Sequence, residues 1–484
     1  MSDRLRRIGS WLLPFGSIPV ALAVVAACED GSSPNGGPDF NLDGSVPTFD
    51  AHSTPMPEAG TDADAGPQLV TVRVRNGANQ PVAGATVVFG SAGGDVIQAL
   101  TSDATGSASL DVPSGSQVTV AFGTDTSPRL LTITAVEPGD EIIALASTPS
   151  YDGPSANVSI IEPPDGGAEV SYYLHSTGEC GTYGTPPLEY FVDGRCTGAA
   201  GKFPVIVDGY DEGGQIVGFK FAKGLTADGG TVTPTFGPWS TAVTEQTIVA
   251  SNLNDAGAAN TVSYGEIADG VLTVTRTYVS LPDDGGTTAL ATFQGRTGFP
   301  EAAQWDVTSR QYKDDGVAFV GTAVRGAAPA ANATTTIDFG ARLPEITESS
   351  FDAGTPARPV VSWTTSASLA NADGTYVVLR WGEPIDGGDA EGSWTFVTPP
   401  GTTSVAAPAL PPGLRAPGAQ ASYERPARVV TVEASFVNGY ASLRKLAGAL
   451  HPSEPLIDDY GKSWLPALPA DGTVRFSAFT RSGD

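Results

Sequence analysis

The chain has 484 residues and a formal charge of -27, with 53 acidic against 26 basic side chains, and only six of the latter are lysines. That length exceeds one hydrophobic core, so several domains are expected. The acidity argues against nucleic acid, which is held by Lys and Arg that displace phosphate counterions, and against unaided binding to anionic lipid. Gly, Thr, Val, Pro and Asp dominate, a composition of strands and tight turns rather than helices.

Arg4, Arg6 and Arg7 precede an apolar stretch from Ile8 to Ala27 that Pro14 and Pro19 interrupt. A spanning helix needs roughly 20 continuous apolar residues, so the stretch suits a cleaved signal peptide, residues 1–27. It ends in Val25-Ala26-Ala27-Cys28, which resembles the lipobox of bacterial lipoproteins. The resemblance implies cleavage before Cys28, diacylglycerol on its sulfur and a further acyl chain on the new amino terminus. Several acyl chains anchor stably where one holds only marginally. Residues 28–67 carry Glu29, Asp30, Asp39, Asp43, Asp50, Glu58, Asp62 and Asp64, with no Lys or Arg and few apolar residues. They read as a disordered acidic linker with an end-to-end distance of roughly 35 Å. "TDADAG" within it is no EF-hand, because Arg73 stands where the twelfth-position Glu is needed.

Residues 68–145 read as a small β domain. In "LVTVRVRN", Val70, Val72 and Val74 fall on one face and Thr71, Arg73 and Arg75 on the other. Further strands are expected in "GATVVF", "GSASLDV" and "QVTVAF". The segment resembles the carboxypeptidase regulatory-like domain, a transthyretin-like sandwich, through Gln80 to Ala85, Thr101 to Gly106 and Val112-Pro113-Ser114-Gly115. Such modules carry no catalytic residues of their own.

Residues 146–350 resemble no family. Strands are expected in "EVSYYLHS", "FPVIVDGY", "QIVGFKFA", "GTVTPTF", "VLTVTRTYVSL", "ALATFQG", "VAFVGTAV" and "TTTIDFG". The hairpin-grade turns "DEGG", "ADGG", "DDGG" and "KDDG" separate several of them. This is an antiparallel meander or sandwich in one or two domains. Cys180 and Cys196 are the two cysteines left once Cys28 is acylated, and an exported chain lets them pair.

Residues 356–484 resemble a fibronectin type III domain. The likeness rests on "RPVVSW" with Trp363, "GTYVVLRW" with Tyr376 and Trp381, a leucine-proline corner at Leu410-Pro411, and "RVVTVEASFVNGY" running into an Asn-Gly turn. The insert "RAPGAQASYERPA" replaces the usual tyrosine soon after the corner, with Tyr423 a candidate for that role. Residues 445–484 exceed one final strand and read as an extra strand or packing loop.

Chemistry is sparse. No HExxH or Gly-x-Ser-x-Gly occurs, and Leu456 stands where a phosphate loop ending in Gly461-Lys462-Ser463 needs its first glycine. His52, His175 and His451 are scattered, which speaks against a zinc site. His175 and His451 are the histidines left for a triad, and each reads first as a surface or half-buried side chain. Asp208, Asp211 and Glu212, and likewise Asp386, Asp389 and Glu391, could hold calcium, but Asp-Gly turns use such oxygens for their own backbone. Tyr172, Tyr173, Tyr190, Phe219, Phe221, Trp239 and Trp305 could form a sugar platform, though sandwich core accounts for them more simply. Tyr172 and Tyr173 must point to opposite faces of a strand.

The resulting expectation is an all-β chain: tandem antiparallel β-sandwich domains after the signal peptide and linker. It is a non-catalytic lipoprotein of the cell envelope, assigned to the outer membrane. No cofactor and no metal are expected. Its partners are the membrane, through acyl chains, and a protein or glycan at the envelope surface, but no nucleic acid. The alternatives are carbohydrate or peptidoglycan binding by the middle region, or a carboxylate hydrolase there using Asp208 or Asp211. A transmembrane barrel is disfavoured by the many Thr, Gly and charged residues on the strands.

Overall fold

The computed structural model describes residues 68–75, 81–124, 127–145, 155–160, 171–176, 180–184, 187–192, 196–197, 201–253, 258–281, 286–313, 316–352, 357–385, 388–414, 416–417, 428–446 and 471–481. The signal peptide, Cys28, the acidic linker, His52, Tyr423, His451 and Gly461-Lys462-Ser463 lie outside them. No described helix is long and apolar enough to cross a membrane.

The strands of the first segment are β1 Val70–Arg75, β2 Thr86–Gly90, β3 Val96–Thr101, β4 Ser107–Leu110, β5 Ser116–Thr124, β6 Ser127–Val136 and β7 Glu141–Leu145. The middle segment begins with β8 Ala156–Ile160, β9 Ser171–His175, β10 Gly181–Gly184, β11 Leu188–Val192, β12 Lys202–Tyr210, β13 Ile216–Thr226 and β14 Thr231–Val232. It continues with β15 Val243–Ser251, β16 Ala259–Ala268, β17 Val271–Val279, β18 Ala289–Arg296, β19 Ala302–Lys313, β20 Gly316–Ala327, β21 Thr334–Asp338 and β22 Ile346–Asp352. The last segment holds β23 Val360–Thr365, β24 Gly374–Ile385, β25 Gly388–Thr398, β26 Ser404–Ala406, β27 Arg428–Ala434, helix α1 Gly439–Leu446 and β28 Gly472–Arg481.

The architecture is all-β, with sheets packed face to face as sandwiches. Twelve strands form one sheet in the order β17-β16-β19-β20-β28-β27-β24-β25-β6-β5-β2-β3. Strands from all three segments share it. β25 runs parallel to β6, with Ser393 to Val397 opposite Arg129 to Ile133. β28 lies between β20 and β27, antiparallel to both. Trp394, fully buried, donates its indole N–H to Thr132 Oγ1 at 2.8 Å and ties β25 to β6 through side chains as well.

Smaller sheets cover this layer. The sheet β4-β1-β7 lays Val70, Val72 and Val74 on Val87, Phe89, Val118 and Ile133. The sheet β22-β23-β26 lays Ile346, Val361 and Trp363 on Leu379, Trp394, Phe396 and Phe479. The sheet β18-β15-β21 lays Ile248, Ala291 and Phe293 on Val262, Tyr264 and Trp305. The alternation read for "LVTVRVRN" holds, since β1 buries every second residue.

Two local expectations differ from the outcome. "GTVTPTF" pairs only over Thr231–Val232, because Pro234 has no N–H to give a ladder. After β27 the chain enters α1 rather than a hairpin turn. Gly439 takes φ +67° and donates its N–H to Asp373 Oδ1 at 3.0 Å, and "YASLRKL" continues as helix. α1 clamps the first segment onto the last. Tyr440 donates its hydroxyl proton to the carbonyls of Thr134 at 2.7 Å and Val397 at 3.0 Å. Arg444 pairs with Asp140 at 3.0 Å and donates to the carbonyl of Ala135. Ala135 holds φ +49°, a conformation costly for a residue with a Cβ.

Candidate functional site

The middle segment begins with two further sheets, β10-β9-β12-β13 and β11-β8-β14. Tyr172 and Leu174 on β9 and Val205 and Val207 on β12 meet Val158, Ile160, Leu188, Tyr190 and Val192 between them. Cys180 and Cys196 are bonded inside this core, with their Cα atoms 6.1 Å apart. Closing a 16-residue separation restricts the unfolded chain, so reduction is expected to cost roughly 3 kcal/mol. Urea unfolding with and without reductant measures this; coincident midpoints would overturn it.

The other face of β10-β9-β12-β13 carries Tyr173 and His175 from β9 and Asp208 and Tyr210 from β12, since alternate residues share a face. Asp208 pairs with Tyr173 in register and Ile206 with His175. His175 and Asp208 are 2% and 0% exposed. His175 Nε2 donates to Asp208 Oδ2 at 2.9 Å, since a carboxylate can only accept. His175 Nδ1 has no partner among the described residues.

Two other sheets supply the remaining charges. Arg296, at the end of β18, donates from Nε to Asp208 Oδ1 at 2.7 Å and from Nη2 to Asp208 Oδ2 at 2.5 Å. Its Nη1 donates to Glu266 Oε2, on β16, and its backbone N–H to Glu266 Oε1 at 2.7 Å. Tyr264 adds a hydroxyl at 3.4 Å from Glu266 Oε1. One buried guanidinium therefore joins β12, β16 and β18, which belong to three different sheets.

The electrostatics follow from this geometry. Burial pushes the Asp208 carboxyl up. The Arg296 charge and the hydrogen bonds from His175 and Arg296 outweigh it, holding the group below the usual carboxylate range. Glu266 receives one guanidinium nitrogen rather than a fork. Burial pushes it above its ordinary value, against the Arg296 charge and hydrogen bonds. Burial by itself would lower Arg296, but its two carboxylates outweigh that and raise it. Burial, with the Asp208 charge nearby, pushes the hydroxyls of Tyr173 and Tyr210 up, so both remain protonated donors at neutral pH.

An aromatic stack leads from this cluster to the surface. The Tyr173 ring lies on His175, with centroids 4.4 Å apart and planes 10° apart. Tyr183 of β10 lies on the other side of Tyr173 at 4.1 Å and 15°. Tyr183 is 62% exposed.

The residues singled out in the sequence scatter. Tyr172, Tyr190 and Trp239 pack around the disulfide core, and Trp305 belongs to the core between β15 and β19. Phe219 and Phe221 share a face as expected, stacked at 6.2 Å, and Phe221 meets Phe299. Asp211 is a turn residue: its Oδ1 accepts from the N–H of Gly213 and of Gln215, both at 2.9 Å. The side chains of Asp386 and Asp389 lie outside the described residues, and Glu391 is exposed. Among the described residues no group of three or more His, Cys, Asp or Glu is placed to hold a metal ion. His175 is a correction: it is fully buried and paired, because strand β9 turns it onto Asp208 rather than toward water. Asp208 is another, since it lies within β12 and not in the turn that follows. Arg296, Glu266, Tyr183 and Tyr210 were not singled out. The available signal was Asp208 as a lone acid in the apolar run "FPVIVDGY", which requires a buried partner.

No family model matches the sequence, and no curated protein matches it. Solved structures do show partial likeness. The Bacillus anthracis TIE protein shares 7% identity over 56% of this chain and 50% of that chain, with TM-score 0.14. A leucine-rich repeat protein from Bacteroides thetaiotaomicron VPI-5482 shares 10% identity over 38% and 26%, with TM-score 0.19. The streptococcal ancillary pilin shares 11% identity over 56% and 98%, with TM-score 0.14. The chain thus spans half or less of the first two, and all three scores lie far below the level of a shared fold.

Proposed function

We propose that this chain is a lipid-anchored protein of the cell envelope whose all-β head serves as a non-catalytic binding or spacer module. The anchor reading rests on Val25-Ala26-Ala27-Cys28, its basic and apolar lead, and the acidic stretch 28–67 that follows. The observation that best supports a presenting role is the twelve-stranded sheet shared by all three segments. Through it the three segments that follow the acidic stretch share one continuous sheet. The chemistry within the middle region favours binding over hydrolysis. Asp208 is spent on Arg296 and His175, and Asp211 on its own turn, so neither carboxylate is set opposite a second one across an open cleft, as glycoside hydrolysis requires.

Intact mass of the protein extracted from membranes in detergent tests the anchor. The expected species starts at Cys28, carries acyl mass, and gains about 2 Da on reduction, one hydrogen for each sulfur of the bridge. A species without lipid, or one retaining residues 1–27, overturns the reading.

A further inference from the structure

We propose that the open face of Tyr183 is a stacking platform for a pyranose ring of a neutral oligosaccharide. The proposal rests on the binding-module reading and names its ligand class and site. Strand β10 reads Gly-Thr-Tyr-Gly and is an edge strand whose one partner in the sheet is β9. Thr182 points to the opposite face, and Gly181, which shares the face of Tyr183, adds no side chain beside the ring. One face of Tyr183 is covered by Tyr173, while 62% of the residue remains exposed.

The ring is held before any ligand arrives. Tyr173 beneath it is backed by His175, which Asp208 fixes, and Arg296 fixes Asp208 in turn. Gly181 is a condition of this stack. A Cβ there would lie 2.7 Å from Tyr173 Cε2, from Tyr173 Oη and from His175 Cβ. A flat aromatic surface whose ordering cost is met in the free protein binds with less entropy loss than a mobile one.

The surroundings select the ligand. Within β10 the ring is accompanied by Gly181, Thr182 and Gly184, so the strand offers one ring and not the continuous apolar surface that seats a helix or a second protein. Ser171 pairs with Tyr210, and Tyr172 with Gly184, which puts Tyr210 and the Asp211–Gln215 turn at the same end of the sheet as Tyr183. Glu212 in that turn brings an exposed carboxylate, an acceptor for the hydroxyls of a sugar at that end of the sheet. A nucleobase would also stack on the ring, but its phosphates are repelled by a chain of charge -27.

Titration calorimetry of the full chain with β-1,4-linked hexamers of glucose, N-acetylglucosamine and xylose tests the assignment. At least one hexamer is expected to bind at millimolar concentration or below. Tyr183→Ala is expected to weaken it about tenfold or more, with Tyr183→Trp retaining it. Gly181→Val, which sets a side chain against Tyr173 and His175, is expected to weaken it as well. An unchanged melting temperature of Tyr183→Ala verifies that the head stays folded. Failure of all three hexamers to bind the parent chain, or equal affinity for Tyr183→Ala, overturns the proposal. Failure here with an acylated Cys28 species in membranes removes the ligand and leaves the tethered module. Sugar binding without acyl mass does the reverse.

Discussion

Replacing Arg296 with methionine is expected to destabilise the head by about 3–5 kcal/mol, because it strands the Asp208 and Glu266 carboxylates in a site that excludes water. That is a large share of the roughly 5–15 kcal/mol that holds a typical domain together. The pH dependence between pH 7 and about 4 should steepen. In the parent chain the depressed Asp208 group contributes stability above the ordinary carboxylate range and loses it as pH falls through its lower folded value. The raised Glu266 group works in the opposite sense and in a higher window: the parent gains stability from it as pH falls from 7 toward the ordinary carboxylate range. Without Arg296, burial raises both carboxyls. Both chains gain stability from Glu266 as pH falls from 7 toward about 4, and Arg296→Met is expected to gain more over that window, because Asp208 then titrates there as well. Neutralising the whole cluster, with Asp208→Asn and Glu266→Gln added, should recover much of the loss. Urea midpoints across pH measure all three chains. A variant with the parent's midpoint and pH slope would show that the cluster does not hold the three sheets together.

Phe476→Ala is the second large effect, expected at about 3–5 kcal/mol. Phe476 is fully buried on β28, and its ring occupies the space over Gly321 on β20, where a Cβ would come within 2.1 Å of it. Phe479, on the same strand, covers Gly316 in the same way and reaches the core under Trp363. The two rings seat β28 against β20 from opposite faces of the sheet. Hydrogen exchange should show amides of β20, β27 and β28 losing protection together in Phe476→Ala. Loss confined to β28 would mean that its neighbours are stable without it.

Much of the fold could be read locally. Alternation placed β1, "DEGG" made the turn between β12 and β13, and the apolar runs named the strands that carry the cores. Tyr172 and Tyr173 do face opposite ways, one into the disulfide core and one onto His175. Pairing was not legible. Nothing in "GTVRFSAFT" says that it inserts between strands drawn from two other stretches of chain, because a strand's side chains encode a face and not a neighbour. The site was hidden for a related reason. Arg296 and Asp208 are 88 residues apart, and Glu266 and Arg296 are 30, so no local pattern links them. Asp208 was masked by the Asp-Gly step that follows it, which in this composition usually marks a turn. Tyr183 sits in a four-residue edge strand too short to show periodicity.

The insertion of β28 also sets a schedule. Its neighbours β20 and β27 are complete long before residues 472–481 are made, and β6 waits for β25 across some 260 positions of chain. Distant pairings of this kind are slow to find, since the intervening chain must be ordered before the contacts repay it. Until the final pairings form, the growing head exposes open strand edges along the middle of its largest sheet, the surfaces most prone to joining another copy. Those edges stay open until residue 481 is in place, and covering them is what the last strand contributes besides its own core residues.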